Sequence, residues 1–204
     1  MKFRLPILTP LLIAALLTLS GCSILGDRTP VTLFDLPAEP LTPASATATE
    51  TTLRLATPAA SGLLVSPRIL VVPQPNQPQV YSGVRWVNNI PQLLRDRIAD
   101  AFLEDGRMPR LIHAESMVSA DVELISNLRA FHSEYINGIP EAVITLDARL
   151  VDARSQHLID GRRFTHRHPA DSEAIPDVIE AFGVASDSLM RELVDWTLQH
   201  QASR

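Results

Sequence analysis

The chain has 204 residues, of which 46% are apolar, and a formal net charge of −5. This length suffices for one ordinary domain with a real hydrophobic core plus a tether, whereas two domains would be cramped. The acidic balance argues against nucleic acid as a partner, because phosphate backbones are bound through an excess of Lys and Arg.

The first 21 residues have the features of a secretory signal. A positively charged start leads into an apolar core at residues 5 to 19, about 15 residues and so shorter than the ~20 that a membrane-spanning helix needs. The core ends in an aliphatic residue, two small residues and a cysteine, Leu19-Ser20-Gly21-Cys22. This pattern predicts cleavage after residue 21 and lipid attachment at Cys22, the single cysteine of the chain. The alternative is an ordinary signal peptide that happens to contain a cysteine.

The predicted anchor also indicates a location. A triacylated cysteine would hold the mature protein on a membrane essentially permanently, since each buried methylene contributes about 0.8 kcal/mol. Ser23 rather than Asp follows the cysteine, which favours the outer membrane of a Gram-negative envelope over the inner one. We therefore expect a lipid-anchored protein at the periplasmic face of the outer membrane.

Behind the anchor, the composition predicts a tether and then a domain. Residues 32 to 36 are typical of a short strand, and the Pro, Ala, Thr and Ser of residues 37 to 51 are typical of an extended or disordered segment. We assign residues 22 to 50 to the lipidated N-terminus, this strand and the flexible stretch. A single domain is expected at residues 51 to 200, followed by a tail at residues 201 to 204.

The first half of that domain combines short strands with one helix. Strands are predicted at residues 52 to 56, 68 to 72 and 79 to 82. Apolar residues recur at helical spacing from Ile90 to Phe102, with Asn88 or Asn89 placed as N-cap and Gly106 placed to end the helix. A short strand near residues 108 to 113 follows.

The second half is predicted to be a long hairpin, a further strand and a last helix. Asn137-Gly138 is a strong two-residue turn signal between two alternating segments. The first segment places one apolar row on a single face: Val122, Leu124, Leu128 and Ala130. A strand at residues 157 to 167 precedes a helix capped by Ser172. The resulting fold class is α+β, an antiparallel β-sheet with two long amphipathic helices packed on one face.

Sequence motifs of the common enzyme classes are absent: no G-x-S-x-G, P-loop, H-E-x-x-H or paired-cysteine metal pattern occurs. His166 and His168, two apart on a predicted strand, raise the hypothesis of a metal site, against that of a solvated strand end. Three arginines lie nearby: Arg162, Arg163 and Arg167. They raise the hypothesis of a patch that binds a partner or a lipid headgroup, and the alternative is a simple charged edge. We expect no enzymatic activity, no metal and no cofactor.

Four residues are candidates either for partner contact or for a structural motif: Tyr81, Arg85, Trp86 and Tyr135. A tryptophan at a surface combines large apolar area with a polar N–H, yet a ring at the turn into the first helix can equally lock helix against sheet. Tyr135 lies beside the predicted hairpin tip, where exposed residues often touch partners.

One string of the chain carries a family resemblance: Tyr81-Ser82-Gly83-Val84-Arg85-Trp86. Together with the lipobox at Cys22, the strand at residues 68 to 71, Tyr135 and the final helix, it resembles the ABC-type transport auxiliary lipoproteins, which include the PqiC-like lipoproteins. The resemblance extends in order over nearly the whole mature chain.

This resemblance implies a PqiC-like α/β domain and a non-enzymatic role. The protein would be the outer-side lipoprotein subunit of an MCE-type ABC system that moves lipids between inner and outer membranes. The implied partners are an MCE-domain protein, a permease and an ATPase, and self-association into a ring or other oligomer is compatible with it. The family offers no catalytic residues to transfer.

Two other functions stay open from the sequence alone. A stand-alone periplasmic lipid binder would need an apolar cavity of a few hundred cubic ångströms between sheet and helices. An envelope hydrolase would need a nucleophile with a base beside it, and the sequence offers no such pair.

Overall fold

The structure is a computed structural model that describes residues 30–43 and 47–200. Within these residues the chain forms eight strands, two α-helices and a short 3-10 helix at Gly62–Val65. The strands are β1 Thr32–Phe34, β2 Leu53–Leu55, β3 Arg68–Val72, β4 Gln79–Trp86, β5 Leu111–His113, β6 Val122–Ile136, β7 Ile139–Asp152 and β8 Leu158–Pro169. The helices are α1 Ile90–Asp105 and α2 Ile175–Gln199.

The eight strands form one mixed sheet. On one side of β6, β7 and then β8 follow in antiparallel order. On its other side, β2 runs parallel to the start of β6 and β3 runs parallel to its end, while β5 pairs with β2, β4 with β3 and β1 with β4. The purely antiparallel sheet expected from the sequence is wrong, because β1–β4, β2–β5, β2–β6 and β3–β6 are parallel. The alternation of apolar and polar residues shows which segments are strands. It does not show which strands pair in parallel, because parallel strands are joined by a long connection.

The long hairpin forms where the sequence predicts it. Asn137 and Gly138 have φ of 53° and 84°, the left-handed conformations that a type I′ turn requires at both positions. The register is irregular between Leu128 and Ala130, which is the signature of an inserted residue. Phe131 therefore continues the core row opposite Ile144. The predicted place of Ala130 in that row is wrong.

Helix α1 begins and ends where the sequence predicts it, whereas α2 begins later than predicted. Asn89 is the N-cap of α1, and Gly106, with φ of 76°, is its C-cap. Helix α2 begins after Ala174, so the prediction of Ser172 as its N-cap is wrong. The Ser172 hydroxyl instead accepts the Ala174 N–H at 3.0 Å, which closes the turn before the helix.

One hydrophobic cluster holds the fold together. It joins both helices to the sheet face that carries Leu124, Leu146 and Phe164, called here the inner face; the opposite face is the outer face. Helix α2 lies on β7 and β8, and α1 contacts α2. Each fully buried large apolar side chain of this kind contributes about 1.5–3 kcal/mol.

The segment that follows β1 is fixed to the helices. Leu36 and Leu41 are buried in the core cluster. Pro37 lies against α2 at Gly183, where an added Cβ would come within 2.8 Å of the Pro37 Cβ. The compact unit begins at Val31, so the domain boundary predicted at residue 51 falls inside it.

Candidate partner-contact site

The predicted lipid attachment at Cys22 lies outside the described residues, as do the whole signal segment and the tail at residues 201 to 204. Among residues 30–43 and 47–200, neither helix is both long and apolar enough to cross a bilayer. Attachment through Cys22 therefore stays a prediction.

Trp86 is a core residue. Only 1% of it is exposed, and its ring meets Phe131 and Phe182 edge-to-face at centroid distances of 5.7 and 5.5 Å. Its indole N–H is buried and has no hydrogen-bond partner in the described part of the chain. Of the two hypotheses for this tryptophan, the structural one fits, since its ring joins strand β4 to helix α2.

Tyr81 and Tyr135 are brought together by the pairing of β3 with β4 and β6. The Tyr81 hydroxyl and the hydroxyl of buried Ser133 share a hydrogen bond of 3.0 Å. Burial raises the pKa of Tyr81 to about 12, and the neighbouring Tyr135 adds to the rise. The Tyr81 phenol therefore stays neutral at any physiological pH. The two tyrosines form an amphipathic support below the hairpin tip.

The hairpin tip itself exposes two apolar side chains that the sequence reasoning missed. Ile136 and Ile139 are 50% and 51% exposed and lie opposite each other across the Asn137-Gly138 turn. The sequence contained a signal for this exposure. An isoleucine on each side of a turn cannot reach the core when the two strands of the hairpin extend past the core. The tip is thus a small apolar projection supported by Tyr135.

Arg85 faces away from the core, on the outer face at the sheet edge formed by β1, β4 and β3. It lies in register with Leu33 of β1 and with Arg68 of β3. Neither arginine side chain makes a hydrogen bond or ion pair with any described residue. The two border a groove of about 150 Å³ together with Val31 and the β4 residues around Gly83. We call this group of residues the edge groove.

The arginines of β8 are all paired with carboxylates. Arg162 binds Glu192 of α2, and Arg163 binds Asp147. Arg167 binds Glu134 and Glu141 at 2.9 and 3.0 Å. Their guanidinium groups are already satisfied, so they do not form the free patch that the sequence allowed.

Of the two histidines of β8, His166 has a carboxylate partner, whereas the His168 side chain makes no hydrogen bond or ion pair with any described residue. The His166 Nε2 lies 2.8 Å from a Glu192 oxygen. Across the sheet, His132 shares a 2.9 Å hydrogen bond with Glu134; this bond, together with Arg167, lowers the Glu134 pKa. Within the described residues no group of three or more acidic, His or Cys side chains is placed to hold a metal ion.

Comparison with known proteins supplies the family. Residues 34–194 match the model of a family described as the ABC-type transport auxiliary lipoprotein component. Protein XCC0632 of Xanthomonas campestris has a crystal structure that superposes with a TM-score of 0.79 at 30% identity, covering 85% of this chain and 98% of that one. A crystal structure of an uncharacterized protein superposes with a TM-score of 0.65 at 14% identity, over 82% of this chain and 99% of that one, a likeness of fold alone.

A sequence relative is the uncharacterized protein bll6063 of Bradyrhizobium diazoefficiens. It is 25% identical over 146 residues, which is 72% of this chain and 39% of the relative. The chain therefore spans about two fifths of the length of that relative. The family match covers strands β2 to β8, helix α1 and helix α2 up to residue 194, including the Tyr81 to Trp86 string. The chain belongs to the family of ABC-type transport auxiliary lipoprotein components.

Proposed function

We propose that this protein is the outer-side lipoprotein subunit of an MCE-type ABC system that moves lipids between inner and outer membranes. It acts by docking to the MCE component at the periplasmic face of the outer membrane, and ATP hydrolysis belongs to other subunits. The observation that carries the proposal is the family match over residues 34–194. The resemblance of the Tyr81 to Trp86 string to PqiC-like lipoproteins supports the same assignment.

The hairpin tip is the surface that we assign to docking. Its centre is apolar, with Ile136 and Ile139 half exposed on a turn of fixed conformation. Tyr135 lies at its base, next to the cross-strand pair Glu134 and Glu141. An apolar centre with aromatic and charged surroundings is the usual anatomy of a protein interface. The surface suits a partner with an exposed apolar patch.

Lipidation at Cys22 would assist this docking. An anchor confines the domain to one leaflet and so raises its effective concentration near a partner in the same envelope. A weak contact through a small tip then suffices. Cys22→Ala is expected to release a folded domain from washed membranes and to abolish the transport role.

The interior favours docking over lipid carriage. The space between sheet and helices is occupied by large rings, with Phe131 stacked on Phe182 at 4.9 Å. A cavity of about 250 Å³ lies instead beside the segment after β1, where Asp105, Arg107 and Asp195 line it. Charged walls of this kind do not suit an acyl chain.

The test is affinity purification of the lipidated protein from envelopes in mild detergent, with mass spectrometry of what co-purifies. We expect an MCE-domain protein with its permease and ATPase. Recovery of the lipoprotein alone, reproducibly and after crosslinking, would overturn the proposal in favour of an independent lipid binder.

A variant pair locates the contact. Ile136→Ser with Ile139→Ser removes the apolar centre while leaving the turn residues in place, so recovery of the MCE protein should fall at least about tenfold. Leu158→Ser is the control, because Leu158 is at least as exposed but begins β8 away from the tip. Equal loss with both variants would rule out the tip as the contact.

A further inference from the structure

The edge groove holds two like charges directly opposite each other. Arg68 of β3 and Arg85 of β4 are cross-strand partners on the outer face. Residues in such register have Cβ atoms only about 4.5–5.5 Å apart, and like charges there are destabilising. No described carboxylate compensates them; Asp35, which follows β1, accepts the N–H of Leu36 instead. An arrangement of this kind is stabilised when an anion bridges the two guanidinium groups.

The shape around the pair fits a phosphate group at an apolar boundary. The groove of about 150 Å³ is lined by both arginines, by Val31 and by the β4 residues around Gly83. Gly83 has φ of 73° and no atom within 4 Å of the place where a Cβ would be, so that side of the groove is open. Leu33, 60% exposed, lies beside Arg85 on the same face. Guanidinium forks bind phosphate oxygens bidentately.

The position of the groove along the chain selects the source of that phosphate. Val31 lines the groove, and Cys22 precedes it by nine residues. Nine residues span at most about 30 Å. If Cys22 is lipidated, the groove can therefore never lie farther than this from the bilayer surface, where phospholipid headgroups are abundant.

We propose that the edge groove is a membrane-facing surface in which Arg68 and Arg85 bind the phosphate of an anionic phospholipid headgroup. Val31 and Leu33 rest against the interfacial region beside it. The groove thereby sets the orientation of the domain on the membrane that carries its anchor. This inference rests on lipidation at Cys22 and is independent of the transport partners.

Arginine footprinting tests the proposal on the native protein. The lipidated protein is placed in nanodiscs of phosphatidylcholine alone or of phosphatidylcholine with phosphatidylglycerol, and phenylglyoxal modification of each arginine is followed by mass spectrometry. Arg68 and Arg85 should react about fivefold more slowly with the anionic lipid, the effect expected for one arginine at an anionic surface. Arg149 and Arg154, exposed at the end of β7 and in the turn after it, are internal controls and should react equally in both.

Other outcomes would overturn the proposal. Equal reactivity of Arg68 and Arg85 in both nanodiscs would exclude a headgroup site. Equal protection by millimolar inorganic phosphate without anionic lipid would make it a site for a free anion. Protection that depends on protein concentration would make it a contact between copies of the chain. No transport protein is present, so failure here is distinct from failure of the proposed function.

Two double variants then measure orientation. A fluorophore on Leu33→Cys reports depth through quenching by headgroup-labelled lipid, since the only other cysteine is the lipidated Cys22. Adding Arg68→Gln with Arg85→Gln should reduce quenching at least threefold in anionic nanodiscs, whereas Arg149→Gln with Arg154→Gln, equal in charge removed, should not. Matching thermal melts would verify that both double variants fold. Equal reductions would show a general charge effect and sink the proposal.

Discussion

Two regions of the outer face carry arginines in opposite circumstances. Across β6, β7 and β8, Asp147 accepts hydrogen bonds from both Arg129 and Arg163, and Arg167 binds two glutamates. Arg149 of β7 is the exception in this region, because it has no carboxylate partner among the described residues. At the edge groove, Arg68 and Arg85 face each other, and no carboxylate of the described residues pairs with either of them. The sequence drew attention to the arginines of β8, yet those are the ones already satisfied. A cluster of like residues indicates a binding surface only when its charges lack partners within the fold.

Arg97 is a buried arginine, in contrast to these exposed ones. Its side chain is 4% exposed and binds Asp187 of α2 at 2.8 Å, and it also donates to the Glu39 carbonyl oxygen. Pairing here is obligatory, because an ionised group in the interior has no water to replace its partner. Substitutions in the buried Arg97 pair, in the exposed pairs and in the edge groove should therefore change the stability of the fold by decreasing amounts. In the edge groove the sign of the change should be reversed.

Removing the partner of the buried arginine should have the largest effect. Asp187→Ala leaves the buried Arg97 guanidinium with only the longer, 3.4 Å contact to Glu104 and should lower the free energy of unfolding by about 3–5 kcal/mol. It also removes the acceptor for the Glu39 N–H, which ties the segment after β1 to α2. Urea denaturation followed by circular dichroism measures the change.

A double variant separates the charge effect from packing. Arg97→Met with Asp187→Leu replaces both ions by apolar side chains of similar size and should recover most of the lost stability. If the double variant were as unstable as Asp187→Ala, the loss would come from shape or from the lost hydrogen bond of the Glu39 N–H rather than from the unpaired charge.

The exposed pairs should give a smaller, pH-dependent effect. Hydrogen bonds from Arg163 and then Arg129 hold the pKa of Asp147 well below its ordinary 3.8. A depressed folded-state pKa contributes stability that is present above the unfolded value and is lost as pH falls from about 4 towards the folded value. Asp147→Asn should lower the melting temperature at neutral pH by at most about 4 °C. It should also flatten the fall between about pH 4 and pH 2. A variant that kept the full acid dependence would assign it to other carboxylates.

Local signals accounted for much of the fold. Asn137-Gly138, Gly106 and the apolar spacing of α1 each act within a few residues, so the hairpin and the helix limits were predictable. Two features were not. The parallel pairing of β2 and β3 with β6 joins segments far apart in sequence, and the bulge after Leu128 changes which residue faces the core without a glycine or proline to mark it.

The candidate sites divide in the same way. Tyr135 and Arg85 could be proposed as candidates from the sequence because a turn and a family string mark them. The role of Trp86 depended on Phe131 and Phe182, which reach it from another strand and from α2. Arg68 could not be identified from the sequence. Its role depends on Arg85 lying opposite it, and that register is defined only by the tertiary structure.

The smallest predicted effect is a gain in stability at the edge groove, and it is the most direct test of the contrast between unpaired and paired arginines. Arg68→Gln removes one of two facing charges, so it should raise the free energy of unfolding of the unbound protein by about 0.2–1 kcal/mol. Arg163→Gln, which breaks a pair, should lower the melting temperature instead. Both differences should shrink in high salt, because exposed charges are screened within about 10 Å at 0.1 M. Thermal melts at low and high salt measure them. If Arg68→Gln were destabilising like Arg163→Gln, Arg68 would have a stabilising role in the unbound fold, and the contrast between the two regions would fail.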